Sequence, residues 1–183
     1  LRTVFLQEAG HALGVGNSPD PASVMYEFYR GARPGLTAAD VAAVRALYGP
    51  RLADRYEGAN GNDTPSRAAA YFSPVSAELT APTDVDVYRV STGLFTNRVT
   101  VQLGAKGLSL LDAKVELLDA GGRVVAVGSA ADPTNNDVAF TFAGARPLST
   151  YYVRVSAADP TDFAVGSYAL SVTNQSVVTD LLG

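Results

Sequence analysis

Near residue 66 the spacing of apolar residues changes period, and this change limits the possible folds more than any single motif does. Before it, Phe5, Ala9, Ala12 and Leu13 fall on one stripe of a helix expected over residues 3–14 and stopped by Gly14. A second helix is marked by Thr37 as N-cap with Asp40 three residues on, a capping-box variant. It presents Val41, Val44, Leu47 and Tyr48 on one face and stops at Gly49-Pro50. After the change, alternation at period two marks strands over 85–90, 99–103, 115–117, 124–127, 138–142, 151–155 and 168–172. Asp119-Ala120-Gly121-Gly122 is a hairpin turn between two of them. Short strands without intervening helices predict a mainly β chain: an antiparallel β-sandwich of jelly-roll type, preceded by a small two-helix unit. The expected organisation is a helical part over 1–50, a polar, glycine-rich linker over 51–66, a sandwich over 67–174 and a tail over 175–183.

Composition removes several classes of function. With no cysteine in 183 residues, neither disulfides nor thiolate metal sites can form. The net charge is −4, and the acidic excess lies entirely after residue 50, with no basic cluster or aromatic-basic stripe. Nucleic acid is therefore not an expected partner. No apolar run has the length of a membrane span.

The segment Gln7-Glu8-Ala9-Gly10-His11-Ala12-Leu13-Gly14-Val15-Gly16-Asn17 carries the chemistry. Two histidines four apart on one helix face bind zinc, with a glutamate between them as general base. A longer form adds a helix-breaking glycine and a third histidine. The frame is present here at Glu8, His11 and Gly14, but Gln7 and Asn17 occupy the first and third ligand positions. Carboxamides are poor zinc ligands, and His11 is the only histidine in the chain.

Three further pieces extend the pattern: Ser23-Val24-Met25-Tyr26 where a Met-turn should follow, Leu36-Thr37-Ala38-Ala39-Asp40-Val41, and Ala46-Leu47-Tyr48-Gly49. Together with the helix, residues 1–50 resemble the last part of the catalytic domain of matrixin-type metalloendopeptidases, a metzincin family. The resemblance implies peptide-bond hydrolysis by zinc-activated water, with Glu8 as general base, His11 as a zinc ligand and Met25 as the floor beneath the metal. It also implies a sheet-bearing part upstream of Leu1, which makes the chain a C-terminal portion. With Gln7 and Asn17 at the outer ligand positions, this degenerate zinc site is expected to hold no metal and the chain to be inactive, a pseudoenzyme.

In the second half, the ordered pieces are Tyr56-Glu57, Asn62-Asp63-Thr64, Asp84-Val85-Asp86-Val87-Tyr88, Leu117 to Gly122, Tyr151 to Val155 and Gly166 to Val172. They resemble the bacterial pre-peptidase C-terminal domain, a β-sandwich appended to secreted peptidases, with an insertion over 58–61. Asp84 and Asp86 are expected on one strand face about 7 Å apart. With Glu57, Asn62 and Asp63 they supply the hard oxygen donors that calcium takes, and the resemblance implies calcium at this linker. The alternative is a solvated acidic strand end whose Asn62 and Asp63 only make turn contacts. The two resemblances imply a protein secreted by a bacterium, acting outside the cell on a protein or peptide substrate. A non-catalytic extracellular binding or export module is the other reading.

Overall fold

A computed structural model describes residues 1–57, 61–132, 134–159 and 163–176. The chain divides into two compact units, Leu1–Arg51 and Leu52–Gly183.

The first unit holds α1 (Arg2–Ala12) and α2 (Ala38–Tyr48). α1 buries Thr3 and Gly10 and half-buries Leu6 and Gln7, a face with helical spacing. Of the apolar stripe, Ala9 is half-buried, while Ala12 is exposed, Phe5 is 70% exposed and Leu13 48%. Hydropathy gave way to closeness of approach, because only the glycine admits Met25 against the helix. A small core of Val15, Val24 and Met25 results, with Leu6, Ala43 and Val44 packed on it.

α2 starts as expected. Thr37 Oγ1 accepts from Asp40 N at 3.2 Å, and Thr37 N donates to Asp40 Oδ2 at 2.8 Å, closing the capping box. On the face that Val41, Val44, Leu47 and Tyr48 line, the two valines are half-buried, while Leu47 and Tyr48 are exposed. The buried side chain of α2 is the capping-box residue Asp40. It also accepts from Ser23 Oγ and, at 3.2 Å, from Val24 N. One carboxylate thus ties the start of α2 to the turn that carries Met25.

The second unit is a two-sheet sandwich of β1 (Ala69–Ala70), β2 (Val75–Leu79), β3 (Val85–Ser91), β4 (Thr96–Gly104), β5 (Ala113–Leu118), β6 (Val124–Ser129), β7 (Val138–Phe142), β8 (Thr150–Ala157) and β9 (Gly166–Ser176). The expected strands are all present. β1 and β2 were not legible, since β1 has two residues and β2, Val-Ser-Ala-Glu-Leu, is mostly weak strand formers. The sheet orders are β1-β3-β8-β5-β6 and β2-β9-β4-β7. β5 pairs with β6, β4 with β7, β3 with β8 and β2 with β9, as in one long hairpin folded over on itself. This nesting is the jelly roll. The inner faces bury Tyr88, Leu103, Leu117, Tyr168 and Leu170 between them.

Much of the polar stretch after residue 51 lies against this unit. Asp54 Oδ1 accepts from Tyr56 N at 2.7 Å, and Asp54 Oδ2 from Glu78 N of β2 at 2.9 Å. The Tyr56 ring packs edge-on to Tyr88, with centroids 5.5 Å apart. The Asn62 carbonyl accepts from Val87 N of β3 at 2.9 Å.

Candidate metal centres

The zinc-type centre depends on what α1 and the following turn present. His11 is exposed, and its Nδ1 lies 2.9 Å from the Val15 carbonyl. A carbonyl only accepts, so the neutral ring holds its proton on Nδ1 and offers the Nε2 lone pair, the arrangement that orients a metal-binding histidine. Gln7 does not join it. Its Nε2 donates to the Tyr26 carbonyl at 3.0 Å, fastening the helix to the Met25–Tyr26 turn. Glu8 and Asn17 are exposed. Ser18 N donates to the Met25 carbonyl at 2.8 Å, so the chain after Asn17 runs beside the same turn. Met25 is buried beneath Gly10. Among the described residues, no group of three His, Cys, Asp or Glu ligands includes His11. Catalytic zinc takes three protein ligands, so the donors present do not fit the metal.

The acidic centre sits at the β2–β3 side of the sandwich. Ligand oxygens of Glu57, Asp63 and Asp84 lie within 4.8 Å of one another. A Cβ on Gly61 would lie 3.3 Å from Glu57 Oε2 and 3.2 Å from Asp63 Oδ2, and Gly61 has φ +69°. The glycine therefore lets the loop fold tightly between the two carboxylates. Asp84 is not on a strand face with Asp86, as the sequence led us to expect. It closes the turn before β3, its Oδ2 accepting from Thr80 N at 2.6 Å and Thr80 Oγ1 at 2.9 Å.

Asp86 points inward and is fully buried, because β3 parity places it on the face of Tyr88 and Val90. Tyr168 donates its hydroxyl to Asp86 Oδ2, and the Tyr88 and Tyr168 hydroxyls are 2.8 Å apart. Among the described residues, Asp86 Oδ1, Glu57 Oε1 and both polar atoms of the buried Asn62 side chain have no hydrogen-bond partner. Asn62 favours the charge of Asp86 without a bond of ordinary geometry.

Burial raises the Asp86 carboxyl to about 7, against the hydrogen bond from Tyr168. Burial, then the charges of Asp84, Asp86 and Asp63, raises Glu57 to about 7. Protons, ordered water or a hard cation would each satisfy such a concentration of buried oxygens and raised carboxyls. Asp54 and Tyr168 belong to this network and were missed in the sequence. The Asx-turn spacing from Asp54 to Tyr56 was a readable signal, but nothing marked the Tyr168 hydroxyl.

The described residues thus form a helix, turn and helix in the first unit and a jelly-roll sandwich in the second. The matrixin family profile matches residues 1–49, so the first unit carries a matrixin segment. Human matrix metalloproteinase-20 is 46% identical over 54 residues, covering 28% of this chain and 11% of its own length. Rat matrilysin is 45% identical over 51 residues, covering 26% of this chain and 19% of its own. A probable matrix metalloproteinase, 095L of invertebrate iridescent virus 3, is 48% identical over 50 residues, covering 27% and 14%. The chain thus spans 11% to 19% of the length of these curated relatives. Among solved structures, the pre-peptidase C-terminal domain of Bacillus anthracis collagenase superposes with a TM-score of 0.43 at 18% identity, covering 58% of this chain and 92% of that one. No helix among the described residues is long and apolar enough to cross a membrane.

Proposed function

We propose that this chain is the C-terminal portion of a secreted bacterial protein of matrixin metalloendopeptidase descent whose matrixin segment does not hydrolyse peptides. The observation that carries this reading is the engagement of Gln7 with the Tyr26 carbonyl beside a single available imidazole. Glu8 has no metal-bound water to activate, and the matrixin segment acts as a packing element. Its exposed apolar residues, Val4, Phe5, Phe28 and Tyr29 among them, are the surface that the upstream part of a matrixin domain would cover. Metal analysis and a casein-cleavage assay of the purified chain test the proposal. About one tightly held zinc per chain with chelator-sensitive proteolysis overturns it.

A second reading concerns the sandwich, favoured by the orphaned atoms of Asn62 and Asp86 next to the Glu57, Asp63 and Asp84 cluster. In this reading calcium binds there and fastens the polar stretch after residue 51 onto the edge of the sheet. The module is then an extracellular, non-catalytic, calcium-stabilised domain. Calorimetric titration with calcium chloride tests it, and the absence of binding at millimolar calcium rejects it.

A further inference from the structure

The two lateral edges of the sandwich differ in how they are finished. At one, Asn62 and Asp54 engage backbone amides of β3 and β2, and β1 pairs alongside β3. At the other lies β6, last in its sheet. It reads Val-Val-Ala-Val-Gly-Ser, without charge or proline, and none of its residues is buried. Val124 is 41% and Val127 57% exposed. Among the described residues, the backbone pairing of β6 runs to β5 alone. A register irregularity at Val125, opposite Leu117 and Leu118, is the blunting device seen among the described residues; without charge, proline or a cover, the rest of the edge is a template for an added strand.

A groove of about 370 Å³ opens where β6 begins, between the Asp119–Arg123 turn and the loop after β7. Val125 and Phe142 line it with apolar surface, and Arg123 and Arg146 supply cations. Arg123 is paired with Asp119 at 3.2 Å, and among the described residues Arg146 forms no ion pair, so the groove is net cationic.

The loop carrying Arg146 is held rigidly from within. Thr92 N donates to the Ser149 carbonyl at 2.9 Å, Thr92 Oγ1 donates to the Arg146 carbonyl at 2.7 Å, and Arg146 N donates to Tyr151 Oη at 2.9 Å. Leu148, at φ 50°, is the one non-glycine residue in the left-handed region among those described. A strained loop so firmly bonded is a preorganised wall.

Strand direction links the edge to the groove. A strand added antiparallel to β6 ends with its C-terminus beside Arg123, where the groove begins. Its terminal carboxylate would reach the groove that Arg123 and Arg146 line together with Asp119, and its last side chain the apolar wall of Val125 and Phe142. We propose that β6 and this groove bind the C-terminal tail of an extended peptide, added as an antiparallel strand with its carboxylate held by Arg146 and Arg123. The site lies at the edge opposite the acidic cluster and does not depend on calcium there.

The test uses the full chain and an acetylated hexapeptide of alternating threonine and valine with a free C-terminal carboxylate. Three controls accompany it: the C-terminal amide, an analogue N-methylated at alternate residues, and the Arg146→Ala variant. That variant keeps the backbone bonds of the loop. The free acid should half-saturate below about 1 mM by NMR titration, with shifts concentrated in β6 and residues 142–151. The amide should bind at least tenfold more weakly, and the N-methylated peptide should not bind. Arg146→Ala should bring the acid down to the level of the amide. Equal binding of acid and amide, undiminished binding of the N-methylated peptide, or no shifts in β6 with any peptide overturns the proposal.

Discussion

A Cβ placed on Gly10 would lie 2.4 Å from Met25 Sδ and 2.9 Å from Met25 Cε, so α1 rests directly on the methionine. Gly10→Ala exchanges a helix gain of about 1 kcal/mol for overpacking of about 1–3 kcal/mol. We expect net destabilisation, read as faster hydrogen exchange of the α1 amides. In a Met25→Ala background the same change should slow that exchange, because only the helix gain remains. The same sign in both backgrounds would remove the methionine from the explanation.

Asp40 links Ser23, Val24 and Thr37 from a buried position. Burial alone would raise its carboxyl, but the hydrogen bonds from Ser23, Thr37 and Val24 outweigh it and hold the group below its ordinary range. Stability from this carboxylate is therefore present above its unfolded pKa and lost as pH falls through the lower, folded value. Asp40→Asn should cost on the order of 2 kcal/mol at neutral pH and flatten that acid limb. Urea denaturation at neutral and acidic pH reads both effects, and an unchanged acid limb would assign it to other groups.

If calcium binds the acidic cluster, millimolar calcium should raise the melting temperature of the sandwich by roughly 5 °C or more. Asp84→Ala removes a carboxylate of the cluster and should abolish the shift. Identical melting curves in calcium and in chelator, for the unsubstituted chain, would reject the site.

In chelator the same cluster makes stability depend on pH in the opposite sense to Asp40. Glu57 and Asp86 are both raised to about 7, so the folded state holds protons that the unfolded state releases near pH 4. Their contribution is full below about pH 4 and is lost as pH rises through about 7. The melting temperature in chelator should fall from pH 5 to pH 8, and Asp86→Asn should reduce that slope. Saturating calcium should remove the Glu57 part of that slope, since Glu57 belongs to the group with Asp63 and Asp84 and an ion there takes it ionised.

Replacing Gln7 and Asn17 together by histidine, Gln7→His and Asn17→His, should create measurable zinc affinity through His11 Nε2. Hydrolysis should remain absent, since a bound substrate must also be held in line for attack. Zinc affinity no higher than that of the unsubstituted chain would mean that the turn after Gly14 does not bring residue 17 to the metal.

Local patterns settle a good part of this protein. Alternation placed β3 to β9, Thr37 and Asp40 placed the start of α2, and the glycines of the Asp119–Gly122 turn set the β5–β6 hairpin. Each depends on residues within a few positions of one another, where backbone preference and side-chain parity act directly. The matrixin frame around Glu8, His11, Gly14 and Met25 was legible for the same reason. What the sequence left open was every choice made by distant partners. The buried face of α1 was decided by Met25 fitting beneath Gly10, against the stronger hydropathy of Phe5 and Leu13. Asp84 and Asp86, two residues apart, parted company. Thr80 drew one into a turn beside Glu57 and Asp63, while strand parity and the Tyr168 hydroxyl drew the other into the core. Gln7 could be judged a weak ligand from its chemistry, but its bond to Tyr26 exists only because the turn comes back beneath the helix. Contacts of that kind carry no local period, so the packed chain alone decides them.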